Sequence, residues 1–137
     1  MARTAQSTTT TGLPLALRTG SALMALASLG FVGYAVIFFV RNFTGAFLEL
    51  GIGPAQVDAG RDEIRAFSND LYHYVSHLHI AVSGFIAATG LATASLAWFG
   101  VRRGELWAYL TAVAAPVVGL AVALPAHYPW GLATIGH

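Results

Sequence analysis

The sequence predicts an all-α fold, an integral membrane helical bundle with three transmembrane helices and a short amphipathic helix in the first loop. Three observations predict it. Hydrophobic residues make up 56% of the chain and charged residues only 9%, too apolar a mixture for an ordinary soluble surface. The charges are also unevenly placed, since none falls within residues 19–40, 71–101 or 106–137. Finally, each of these windows reaches the roughly 20 residues that a helix rising about 1.5 Å per residue needs to cross about 30 Å of hydrocarbon.

The elements follow in order. Residues 1–17 are rich in Ser and Thr and read as a disordered polar tail, ahead of a single transmembrane domain over 18–137. The first helix spans about 19–40, with Gly30 and Gly33 in its middle and the interface aromatics Tyr34, Phe38 and Phe39 toward its end. Its apolar run is longer than a cleavable signal core, so a retained helix is expected. Residues 41–70 hold most of the charge. Within them Gly53-Pro54 marks a helix start, and Val57, Ile64 and Phe67 share a helical face while Asp58/Arg61 and Asp62/Arg65 pair three apart. This predicts one short amphipathic helix lying on the membrane surface.

Ser68, Asn69 and Asp70 offer N-cap side chains for a second helix over about 71–99. The tight turn Gly100-Val101-Arg102-Arg103-Gly104-Glu105 folds it back as an antiparallel hairpin. A third helix spans about 106–124, with a kink expected at Pro116 and an end marked by Pro125 and Pro129. Residues 130–137 are too few to cross again.

With three crossings, the N-terminal tail and the second turn share a side carrying Arg3, Arg18, Arg102 and Arg103 against Glu105. The other side carries Arg41, Arg61 and Arg65 against Glu49, Asp58, Asp62, Glu63 and Asp70. The arginine bias predicts a plasma-membrane protein with a cytoplasmic N-terminus and an extracytoplasmic loop 41–70 and C-terminus. A net charge of +1 without a basic run gives no sign of nucleic-acid binding, and the absence of cysteine excludes disulfides, thiolate metal sites and Cys nucleophiles.

Every histidine falls on the loop side: His73, His77 and His79 early in helix two, His127 and His137 beyond helix three. His73 and His77 share a helical face, and His79 points the other way. Below His77 run Gly84, Ala88 and Ala92; helix three carries Ala115, Gly119 and Ala123, then His127. Small residues every fourth position let membrane helices approach closely, so these stripes are the expected contact between helices two and three. Packed this way, the hairpin brings His73, His77 and His127 to similar depths at the rim. Three imidazoles suit a transition metal, and a pair on opposite helices suits haem iron. A second reading makes them, with Tyr72, Tyr74, Tyr128 and Trp130, an interfacial anchoring girdle. A third is a quinone-, lipid- or proton-linked role.

Asp58, Asp62 and Glu63 read as a solvated face. Ser76, Ser83, Thr89, Thr93 and Ser95 read as side chains bonding back to their own helix or packing as small groups. No carboxylate or arginine sits at mid-membrane, which argues against an ion pump, and no P-loop, GxSxG, HExxH or dinucleotide motif is present.

The segment Gly51-Ile52-Gly53-Pro54-Ala55-Gln56-Val57, a histidine opening helix two, Gly84, and the turn Trp98-Phe99-Gly100-Val101-Arg102-Arg103-Gly104-Glu105-Leu106-Trp107 together resemble small uncharacterised prokaryotic polytopic membrane proteins. The resemblance, over about 51–125, implies a three- to four-helix bundle and carries neither an activity nor a catalytic residue. The leading functional expectation is a small non-enzymatic membrane protein, an accessory or partner subunit that meets membrane lipids and either itself or other membrane subunits. The alternatives are a haem- or metal-binding redox protein using the rim histidines, and a lipid- or quinone-binding protein.

Overall fold

The computed structural model describes residues 14–45 and 47–134, among which there are five α-helices and no strand. Among the described residues, three helices are long and apolar enough to cross a membrane.

The first of these, α1, spans Leu15–Arg41. It starts earlier than the charge pattern predicts, because Pro14 precedes it and its carbonyl accepts from the Leu17 and Arg18 amides at 3.0 and 3.2 Å. Leu15, Ala16 and Leu17 are good helix formers, and Arg18 is tolerated one turn in because its long side chain can reach a membrane surface. Residues 15–17 therefore belong to the helix rather than to a disordered tail; the rest of that expectation concerns residues outside those described.

The loop after α1 folds back on its own helix. Arg41 donates from Nε to the Leu48 carbonyl at 3.0 Å and from Nη2 to the Glu49 carbonyl at 3.1 Å. These bonds hold Phe47 in a wholly buried position.

The single amphipathic helix expected next is two pieces, α2 (Pro54–Val57) and α3 (Arg61–Phe67). Asp58 takes a left-handed conformation with φ 53°, ending α2. Each piece is closed at its start by a side chain three residues on: Gln56 Oε1 accepts from the Gly53 amide at 3.0 Å, and Glu63 Oε2 from the Gly60 amide at 2.9 Å. The break separates Val57 from Ile64, and Phe67 is 83% exposed, so no common apolar face forms. Among the described residues, Asp58/Arg61 and Asp62/Arg65 form no ion pairs. Both arginines turn to Tyr72 instead, their guanidinium carbons 5.6 and 5.7 Å from its ring centre, with Arg61 Nη2 donating to the Tyr72 hydroxyl at 3.0 Å.

Helix α4 (Asn69–Ser95) is capped by Ser68, whose Oγ accepts from the Leu71 amide at 3.2 Å. It runs on through a π turn, Leu96–Gly100, and a 3-10 turn, Val101–Arg103. Gly104, at φ 82°, then reverses the chain, and the Gly104 and Glu105 amides return to the Val101 and Gly100 carbonyls. Helix α5 spans Leu106–His127 and includes both Pro116 and Pro125. Pro125 does not end the helix as expected, since a proline deletes only its own donor and a final turn can form around it.

The main packing pairs α1 with α4, antiparallel, from the loop end to the turn end. Ser21, Ala25, Ala35 and Phe38 of α1 are buried with Asn42 just past it, as are Ser83, Gly90 and Thr93 of α4 with Ala97 and Gly100 beyond it. The spacings are threes, fours and sums of the two, the period of a coiled seam, with mostly small side chains. Gly90 is the closest crossing: a Cβ there would lie 2.8 Å from the Ser28 carbonyl.

Helix α5 behaves differently. Its only buried residues are Ala108 and Ala112, in its first two turns, where Ala108 packs directly on Gly100 with no room for a Cβ. It makes no close approach to α1. The predicted stripe contact is therefore not formed within the chain. Gly84, Ala88, Ala92, Ala115, Gly119 and Ala123 are all exposed, and a Cβ on Gly84 or Gly119 would meet no atom within 4 Å. Both faces of α4 carry small residues, and the one facing α1 is the one that packs.

Candidate functional site

The polar residues gathered by the fold lie at the loop end of the α1–α4 seam. Asn42, just past the last turn of α1, is 1% exposed, and its Nδ2 donates to Ser76 Oγ of α4 at 2.9 Å. One turn deeper, Phe38 of α1 meets the ring of His79 of α4, centres 4.9 Å apart. Phe47 closes the cluster from the folded-back loop, its ring 5.2 Å from both His79 and Tyr72. Tyr72 carries the two guanidinium groups from α3 on its other contacts. Three separate segments are thus joined through aromatic rings and one interhelical hydrogen bond.

Two atoms inside this cluster have no hydrogen-bond partner, Asn42 Oδ1 and His79 Nδ1. An unmatched buried polar atom costs about 1–3 kcal/mol. The geometry is that of a latch: one amide-to-hydroxyl bond, a His79 ring bonded to the Phe47 backbone, and packed aromatic rings.

The sequence-predicted ligands are elsewhere. His73 and His77 lie on the exposed face of α4, with His73 edge-on to Tyr72. His127 Nδ1 lies 2.9 Å from the Ala123 carbonyl of its own helix. Among the described residues, no three His, Asp or Glu side chains come close enough to share a metal ion. The convergence of His73, His77 and His127 required α5 to lie along α4 over its full length, and α5 meets α4 only near the turn. His137 lies outside the described residues.

No family model matches this sequence, and comparison with curated proteins and with solved structures finds no similar chain. The reading of the site rests on geometry alone.

Sequence reasoning passed over His79, because it points away from His77 and was not grouped with the other candidates. The signal was present. Tyr72, Ser76, His79 and Ser83 alternate in fours and threes, the same period as the buried positions further along the helix. The hydroxyl residues of α4 do bond back within their helix as expected: Ser83, Thr89, Thr93 and Ser95 each donate to a carbonyl three or four residues earlier at 2.8 Å. Ser76 is the exception, serving as the acceptor for Asn42.

Proposed function

We propose that this chain is a small, non-enzymatic integral membrane protein that acts as an accessory or partner subunit, with α5 as its docking arm. One observation carries the reading. Beyond Ala112, α5 is almost wholly exposed within the chain, yet it presents Ala115, Gly119 and Ala123 beside the equally open Gly84, Ala88 and Ala92 of α4. Small side chains offer lipid tails little to pack against but let another helix approach closely, which is where membrane helices gain packing and weak hydrogen bonds. The stitched α1–α4 pair is the rigid part of the molecule, and a second copy or another subunit fills the opening beside α5.

In this reading the Arg18, Arg102 and Arg103 end faces the cytoplasm and the acidic loop lies outside. Single cysteines test both points in the cysteine-free background. Gly119→Cys should form an intermolecular crosslink in native membranes, and Gly119→Ile should abolish complex formation while the α1–α4 pair melts as before. A chain that remains monomeric and uncrosslinked in its own membrane overturns the subunit reading. Labelling of Ala59→Cys only from the cytoplasmic side overturns the orientation.

A further inference from the structure

The splay of α5 leaves a wedge at the turn end, of about 630 Å³, within the range of small-molecule sites. Its walls are Ala92, Leu96 and Phe99 of the α4 rod and Trp107 of α5, and its mouth is formed by Arg103 and Glu105. We propose that this wedge holds one phospholipid whose headgroup carries both a phosphate and a primary ammonium, a phosphatidylethanolamine.

Three features select that occupant. The first is depth. From Arg103 at the mouth to Ala92 at the top is about 16 Å along the rod, close to the roughly 15 Å of one leaflet's hydrocarbon. An acyl chain entering at the mouth therefore runs along this wall to about mid-bilayer.

The second is charge. Arg103 and Glu105 line one groove yet form no ion pair with each other. Arg102 has a separate role, its guanidinium carbon 4.4 Å from the Trp98 ring centre. Glu105 is oriented by Trp107, whose Nε1 donates to Oε2 at 3.2 Å, leaving Oε1 to accept another donor. A lone cation and a lone anion held apart at one mouth complement a zwitterion: Arg103 takes the phosphate and Glu105 accepts from the ammonium. A headgroup that is only anionic meets Glu105 unfavourably, and a trimethylammonium group has no N–H for it to accept.

The third is placement. Trp107, substantially exposed, lines the wedge itself, and the exposed Trp98 and Tyr109 lie at the same end of the bundle, as in the aromatic belt that marks headgroup depth. The wedge lies toward the turn, away from Gly119 and Ala123, but shares Ala92 with the small-residue stripe of the partner-docking reading, so a lipid and a partner helix at Ala92 are alternatives that the test separates.

Native mass spectrometry of the full chain in a phospholipid-free detergent tests this, with phosphatidylethanolamine, phosphatidylcholine and phosphatidylglycerol as probes. The expected result is one phosphatidylethanolamine per chain, retained at several-fold lower concentration than either competitor. E105Q should bring it level with phosphatidylcholine, and R103Q should weaken both. A92W, at an exposed position, should block retention with helix content unchanged by circular dichroism. Equal or better retention of phosphatidylglycerol overturns the headgroup assignment. Failure to hold any lipid, retention unaffected by all three variants, or a lipid-free dimer crosslinked through Ala92→Cys overturns the site itself.

Discussion

The two contacts between membrane-length helices make opposite use of the same residue types. Between α1 and α4, Ser, Ala, Gly and Thr are buried on both helices, and one glycine stands at the crossing with no room for a Cβ. Between α4 and α5, the same residue types are exposed beyond the second turn of α5, and their glycines face open space. Small residues permit close approach but do not compel it. In a bilayer, exclusion of water does not drive helices together, so pairing needs additional bonds and shape, and those are found at the loop end of the α1–α4 seam. There Arg41 folds the loop back, Phe47 fills the gap against His79 and Tyr72, and Asn42 ties to Ser76. The α4–α5 pair packs over the first two turns of α5, where Ala108 meets Gly100 and Ala112 is buried, beside the short turn.

The largest effect should come from breaking the tight crossing. Gly90→Leu forces a side chain into the Ser28 carbonyl and should cost about 3 kcal/mol or more, the upper range for overpacking. Gly84→Leu, on the same helix but in open space, should stay within about 0.5 kcal/mol. Thermal unfolding in detergent reports both, and equal losses at the two sites would show that α4 packs on both faces within one chain.

Next is Gly100→Ala, which places a methyl on Ala108. About 1–3 kcal/mol of destabilisation is expected, together with loosening of the turn, read as increased proteolysis between Arg102 and Arg103.

Asn42→Ala should cost about 1–2 kcal/mol, from the lost bond to Ser76 and the space left in a buried position. A double-mutant cycle with Ser76→Ala isolates the bond, for which about 0.6 kcal/mol and at most about 1.7 is expected from interhelical pairs in membranes. A coupling of zero would mean that the aromatic cluster alone holds this end.

The smallest change should come at His79. His79→Phe removes the unpartnered Nδ1 but also the ring's hydrogen bond to the Phe47 backbone, while keeping an aromatic ring between Phe38 and Phe47, so the two effects should offset to within about 1 kcal/mol. A clear loss would show that the bond to Phe47 outweighs the unmatched nitrogen. His77→Phe, on the exposed face, serves as the neutral reference.

The sequence carried the helices further than it carried their pairing. Charge-free windows located all three membrane-length helices, and Ser68 as N-cap and Gly104 as terminator are legible in residue type alone. The boundaries shifted where a rule was applied too rigidly: Arg18 lies inside α1 and Pro125 inside α5. The split between α2 and α3 was harder to see, because Asp58 adopts a positive φ in a residue type that tolerates it but does not announce it.

The histidine trio is not brought together within the chain, for a single reason. Grouping His73, His77 and His127 assumed that consecutive helices joined by a tight turn stay together along their length. A tight turn fixes only where two helices begin to diverge. The period-3.5 face of α4, which carries His79, was equally visible, but two small-residue faces on one helix present the same pattern to two possible partners.

The sequence by itself determined that the chain is helical, how many helices are long and apolar enough to span a membrane, and which residues can approach closely. These are local properties, set by side-chain hydropathy and backbone preference one segment at a time. Only the tertiary structure decided that α1 rather than α5 occupies the tight face of α4, that His79 rather than His77 is enclosed, and that Arg103 and Glu105 share a groove without pairing. Each of these depends on which of several sterically equal contacts gains the added hydrogen bonds and rings, and that choice is made between segments distant in the chain.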